Sequence, residues 1–331
     1  MISRLRADAV IHDLNILGRK RIGMPSPELE EINDRYRWYR AAVDELQLKS
    51  QVEGTPFGIE DYRKLDFFTL TAEPPRVNYT HVNAGGVPAI WAEPVDVVTD
   101  RVIEYFHGGA YAQSSAAQYR RFCGQIANAV GCRVLIVDYR LAPENPHPAA
   151  SNDAVAAYRW LLNQGTAPGH LAVAGDSSGG GLAFALLLLL KKESLPTPAA
   201  AVPLSPWVDM RGTSPSLTRQ TSIDLLVSES AMLAAAQTFL SGGDPLDPVA
   251  SPVLGDYTDI TTPIYVQVGG DEALHDEALE VVEQARRGGV DATVEVFPGM
   301  QHVFQQGVGR IPESDAGLRK IADFLRPLLK L

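Results

Sequence analysis

The feature that most constrains this chain is a short apolar run, Leu171 to Ala174, which passes through Gly175-Asp176-Ser177-Ser178-Gly179-Gly180-Gly181 into the helix-like run Leu182 to Lys191. A strand that becomes a helix within so few residues strains the backbone at its tip, and the neighbours two positions away must lack side chains. Ser177 has glycine at both places, Gly175 and Gly179, whereas Ser178 has Asp176 two residues before it. Ser177 is therefore the hydroxyl such a turn would present as a nucleophile. A glycine-rich turn of this kind can also cradle a phosphate. Here the Walker lysine is absent and the dinucleotide fingerprint is not cleanly matched. Leu186 to Leu190 read as the buried face of the helix behind the turn.

The surroundings of this turn predict an open α/β fold. Eight short runs read as strands: Val77 to Val82, Ala89 to Glu93, Val102 to Phe106, Val134 to Tyr139, Leu171 to Ala174, Ala200 to Leu204, Ile264 to Val268 and Ala292 to Phe297. Several are continuously apolar, as expected of a mostly parallel sheet covered by helices on both faces. Before them, residues 26–46 read as an amphipathic helix outside the core, opened by Ser26-Pro27. Residues 213–243 break the strand and helix rhythm and contain a helix candidate, Glu229 to Leu240. That insertion, folded against the N-terminal helix, would cap the strand ends. The expected organisation is an N-terminal helical cap segment over 1–50, a first core part over 51–212, the cap insertion over 213–243 and a second core part over 244–331. A chain of 331 residues is long enough for a core with such an appendage.

Charge and composition exclude several functions. With 29 Lys and Arg against 40 Asp and Glu, the net charge is −11 and no basic run could track a phosphate backbone, so no nucleic-acid partner is expected. No segment reaches the length of an apolar membrane span, and Arg4, Arg6, Asp8, His12 and Asp13 interrupt any signal-peptide stretch, so a cytoplasmic location is expected. Cys123 and Cys132 are too few for a disulfide framework and read as reduced packing residues.

In open α/β sheets ligands bind beyond the carboxyl ends of the strands, which directs attention to the loops there. The run Val102 to Phe106 ends in His107-Gly108-Gly109-Ala110, a second glycine-rich turn. Its backbone N–H groups, those of Gly108 and Gly109, together with the N–H of Ser178, are the candidate donors to an oxyanion; the N–H of Ala110 is also available. When the nucleophile sits in such a turn, the acid and then the histidine follow it along the chain. Of seven histidines only His275 and His302 do so, and His302 lies in the loop after the last strand, which returns it to the active face. The acid belongs after Ile264 to Val268, where Asp271 and Glu272 compete. Asp276 is placed a turn into the following helix. A metal cluster of Asp271, Glu272, His275 and Asp276 is disfavoured, because ligands so close together rarely converge on one ion.

These residues resemble the hormone-sensitive lipase family of α/β hydrolases, in particular the bacterial family IV esterases, over most of the chain from about residue 75. His107-Gly108-Gly109-Ala110 is similar to the family's HGGG element, and Tyr139-Arg140-Leu141-Ala142-Pro143-Glu144 is its YRLAPE string. Gly175 to Gly180 resembles its GDSAGG turn, and Leu204-Ser205-Pro206-Trp207-Val208-Asp209 its LSPWxD segment. The family's acid lies two residues before the Leu and four before the second Asp of a DPLxD string; counting back from Leu274 and Asp276 gives Glu272, and His302 follows 30 residues later. The resemblance thus implies a carboxylesterase with a Ser177, Glu272, His302 triad and no cofactor. It further implies an acyl pocket beside Trp207, short- to medium-chain acyl ester substrates and a possible homodimer. A small-molecule receptor on this scaffold would lack the histidine, which is present here, and an amidase or lactonase would use the same triad.

Overall fold

Each of the eight apolar runs forms a strand. The structure, a computed structural model, describes residues 26–55, 57–65, 70–97 and 100–331. The first half of the 1–50 segment, with the interrupting charges from Arg4 to Asp13, lies outside the described residues. In chain order the elements are α1 (Pro27–Glu53), α2 (Ile59–Arg63), β1 (Val77–Ala84), β2 (Val87–Pro94), β3 (Val102–Phe106), α3 (Ala116–Val130), β4 (Arg133–Val137) and α4 (Ala149–Asn163). There follow β5 (Leu171–Asp176), α5 (Ser178–Lys192), β6 (Ala200–Leu204), α6 (Pro215–Arg219), α7 (Glu229–Leu240), β7 (Ile264–Gly269), α8 (His275–Arg287), β8 (Ala292–Phe297) and α9 (Pro312–Leu328).

The strands make one sheet in the order β1-β2-β4-β3-β5-β6-β7-β8. β2 runs antiparallel to both of its neighbours, and every pair from β4 to β8 is parallel. The inner parallel strands are apolar on both sides, Glu104 and Gln267 excepted, because helices cover both. Leu171 and Val173 enter one buried layer with α4, α5 and α8, while Ala172 and Ala174 enter the other with α3 and α9. Cys123 and Cys132 are buried as free thiols. No helix among the described residues is long and apolar enough to cross a membrane.

Several boundaries differ from expectation by one or more residues, and those of α1 and β4 bear on the site. α1 continues to Glu53, beyond the 46 read from the sequence, because nothing breaks it before Gly54. At φ 63°, Gly54 closes the helix with its N–H on Ser50 O. Nor does α1 stand outside the core: Leu29, Ile32, Tyr36, Tyr39 and Val43, spaced three and four apart, are buried in the layer shared with α3 and α9. β4 stops at Val137; Asp138 then accepts the Ala116 N–H at the start of α3, and Tyr139 stacks on His107 at 4.3 Å.

The register aligns the strand ends that matter. Phe106 lies beside Gly175, Asp176 beside Leu204, and Gly269 beside Phe297. The loops that begin at His107, Ser177, Ser205, Gly270 and Pro298 therefore leave the sheet along one edge.

Candidate active site

Ser177 occupies a conformation that L-residues avoid, with φ 53° and ψ −120°. Tight packing holds it there. A Cβ on Gly175 would collide with the backbone of Gly179, and one on Gly179 with the carbonyl of Phe106, so both glycines are sterically required. Ser177 N–H donates to Leu204 O at 2.9 Å, and Ser177 O accepts from Trp207 N at 2.9 Å and Gly181 N at 3.0 Å. Its side chain lines a cavity of about 110 Å³ together with His302 and makes no hydrogen bond among the described residues. Ser178 is fully buried as the first residue of α5.

The glycine-rich loop after β3 requires one correction. The N–H of Gly108 donates to Asp176 Oδ1 at 3.1 Å and to Tyr119 Oη at 3.0 Å, so it is already engaged within the protein. Gly109 and Ala110 differ. At φ 116° and 54° they turn the backbone sharply, both line the cavity with Ser177, and their N–H groups find no acceptor among the described residues. Asp176, fully buried, also accepts from Tyr105 at 2.8 Å and Tyr119 at 2.7 Å, and so binds the serine turn to the loop after β3. Burial pushes its carboxyl up to about 6, against the opposing pull of these donors and of the nearby imidazole.

His302 Nδ1 lies 2.8 Å from Glu272 Oε2, and both side chains are buried. Burial alone would lower the imidazole pKa. The hydrogen bond and charge of Glu272, joined by the charges of Asp224 and Asp176, prevail and hold it above its ordinary value. The other oxygen of Glu272 accepts from Ser205 Oγ at 2.7 Å and from Gly269 N–H. Asp271 engages Met300 through its backbone N–H at 3.1 Å and has no bond to His302. It does not cap the helix that follows, where Leu274 is the N-cap residue. Asp276 pairs with Arg219 and His275, so the four groups from 271 to 276 do not converge.

Trp207 is not where an acyl pocket would need it. It is 2% exposed, is not among the residues lining the cavity at Ser177, and packs its ring against Tyr111 at 6.0 Å. Its backbone supports the turn from beneath. The cavity wall comes from Tyr39 and Val43 of α1, from Leu226 and Val227, and from Ala231, Met232 and Ala235 of α7. A larger cavity of about 530 Å³ adjoins it, sharing Val43, Tyr62, Ala110, Ala231 and Ala235.

Several residues here escaped sequence reasoning. Ser205 stood within a recognised string but beside the more conspicuous Trp207. Tyr36 and Tyr39 carried only helical spacing, and Asp224 carried no signal at all.

A mostly parallel sheet with a strained serine turn after its central strand, and a histidine and acid on the loops of its last two strands, defines an α/β hydrolase. A family model for the α/β hydrolase fold matches residues 103–306. An acetyl-hydrolase from Streptomyces hygroscopicus is 40% identical over 245 residues, covering 74% of this chain and 81% of that protein. An ethyl acetate hydrolase from Pseudomonas putida is 34% identical over 227 residues, 67% of this chain and 71% of the relative. The crystal structure of an esterase from the bacterial hormone-sensitive lipase family superposes with a TM-score of 0.85 at 37% identity, covering 93% of this chain and all of the other. The chain belongs to the hormone-sensitive lipase family of α/β hydrolases and is a carboxylesterase.

Proposed function

We propose that this enzyme cleaves short- to medium-chain acyl esters by two acyl transfers, with Ser177 as nucleophile, His302 as base and Glu272 as the acid that orients it. The observation that carries the reading is the 2.8 Å bond between His302 and Glu272 at a cavity that also exposes Ser177. His302 Nε2 takes the proton of Ser177 as the hydroxyl oxygen attacks the ester carbonyl, and Glu272 stabilises the imidazolium. The N–H groups of Gly109, Ala110 and Ser178 receive the developing oxyanion. Collapse of the intermediate breaks the bond to the alcohol oxygen, which takes the proton from His302. Water, deprotonated by the same histidine, then attacks the acyl-serine carbonyl; the bond to Ser177 Oγ breaks, that oxygen takes the proton back from His302, and the carboxylic acid leaves.

The preference for an alkyl chain is supported by the lining of the larger cavity, where Val43, Phe57, Ile59, Ala231, Ala234 and Ala235 offer apolar surface and no charged group. The N-terminal helix with residues 213–243 forms the cap that encloses this space. Ser177→Ala abolishes hydrolysis of p-nitrophenyl butyrate while the protein stays folded; retained turnover would refute the assignment. A p-nitrophenyl ester series from acetate to dodecanoate should peak at short to medium chains.

A further inference from the structure

We propose that Asp224, with the turn 223–227 it organises, is a positioning residue that clamps the loops of the acid and the base together from the cap side. Its carboxylate is 1% exposed and pairs with no Lys or Arg among the described residues. One oxygen accepts from Leu226 N at 2.8 Å and Val227 N at 2.7 Å, two residues that line the cavity over Ser177. The other accepts at 2.7 Å from the N–H of Ala273, the residue immediately after Glu272. A single carboxylate thus joins the cavity wall to the backbone that carries the acid.

A second tie runs from the same turn to the base. Gln301, which precedes His302, accepts from Leu225 N at 2.7 Å and donates to Ile223 O at 3.3 Å. The acid and base stand on different loops, after β7 and β8, and the turn 223–227 holds a residue adjacent to each. Beneath them Ser205 does the same, giving its hydroxyl to Glu272 and accepting the N–H of Val303 at 3.1 Å. From outside, Arg40 of α1 donates to the carbonyl of Asp224 at 2.5 Å and of Thr221 at 2.9 Å. A misplacement of about 1 Å between catalytic groups can cost 10²-fold in rate, so a clamp on both loops bears on the chemical step.

The carboxylate also acts on the imidazole as a charge. The charged groups that act on His302 are Glu272 after β7, Asp224 in the insertion and Asp176 at the end of β5; the phenol of Tyr36 on α1 donates to the adjoining Val303 carbonyl, and Arg40 of α1 is turned to the Asp224 carbonyl. Removing the charge of Asp224 therefore makes His302 easier to deprotonate.

The test is Asp224→Asn, which keeps the shape and removes the charge. With p-nitrophenyl acetate, kcat falls about 10-fold or more, and the acid-limb midpoint of kcat/KM moves down by about half a pH unit or more. Gln301→Met, which breaks only the second tie, lowers kcat and leaves the midpoint in place. Asp247→Asn, which likewise replaces a carboxylate by its amide but at the 2.9 Å contact with His147, away from these loops, changes neither. A folded Asp224→Asn enzyme with unchanged kcat and midpoint overturns the proposal, as does an equal effect from Asp247→Asn. Should Asp224→Asn prove too unstable to assay, an unchanged kcat in Gln301→Met overturns it. The inference rests on the triad reading above, and Ser177→Ala separates the two: residual turnover there sinks the triad, whereas a dead Ser177→Ala beside a normal Asp224→Asn sinks only the clamp.

Discussion

Glu272 reaches His302 with Oε2 2.8 Å from Nδ1, while its neighbour Asp271 is held to Met300 by its backbone N–H. Two adjacent carboxylates thus face different tasks. Glu272→Ala should lower kcat by roughly 10³-fold or more, and Asp271→Ala should leave it within a few-fold. Steady-state kinetics of the purified variants decide this; a reversed order would reassign the acid.

The imidazole sits above its ordinary value because Glu272, Asp224 and Asp176 outweigh the cost of burial. The free enzyme's base must be neutral to act, so kcat/KM should rise with pH through a midpoint above about 6.5. The linked stability has the opposite slope. A folded-state imidazole with a raised pKa stabilises the protein fully below the unfolded value of about 6.5, and that contribution disappears as pH climbs through the folded value. Melting temperatures of wild type and His302→Gln across this range should diverge most on the acid side.

Glu104 lies in the middle of β3 with both carboxyl oxygens buried and without a hydrogen-bond partner among the described residues, and burial holds its pKa well above the ordinary value. The folded protein therefore keeps it neutral, and stability is lost as pH rises from the unfolded carboxyl value towards the folded one. Glu104→Leu, flanked by Leu135 and Val173 on the adjoining strands, should add about 1–3 kcal/mol. The gain should widen between about pH 5 and pH 8. Urea unfolding at the two values measures it; a loss of stability at both would show that the acid has a role in the fold.

Ala235 lines both cavities from α7. Ala235→Phe should fill space where the two adjoin, leaving p-nitrophenyl acetate turnover within a few-fold and lowering that of the octanoate by about 10-fold or more through KM. Equal losses on both esters would place the alkyl chain elsewhere.

The sheet was legible because a covered parallel strand is mostly apolar, and runs such as Val134 to Val137 have few other uses. The strained serine turn was legible for a steric reason: Gly175 and Gly179 answer collisions that the structure makes explicit. The donors were harder. Which of Gly108, Gly109 and Ala110 keeps a free N–H depends on where the Asp176 side chain lands, and no spacing in the sequence records that. Trp207 misled for the related reason that a large aromatic beside a strand end can fill a core as readily as line a pocket. Asp224 was invisible, since its partners lie 49 residues away at Ala273 as well as beside it.

The contacts of α1 have a consequence for how the enzyme comes into being. Ser26 hydrogen-bonds Glu313 across 287 residues, and Tyr36 reaches Val303 across 267. α1 precedes these partners in synthesis and therefore has no complete seat until the chain as far as Glu313 has left the ribosome, and loop closures of this span slow assembly. Nascent chains stalled short of His302 would expose the tyrosine face of α1 and catalyse nothing, so activity itself reports that synthesis has passed that residue.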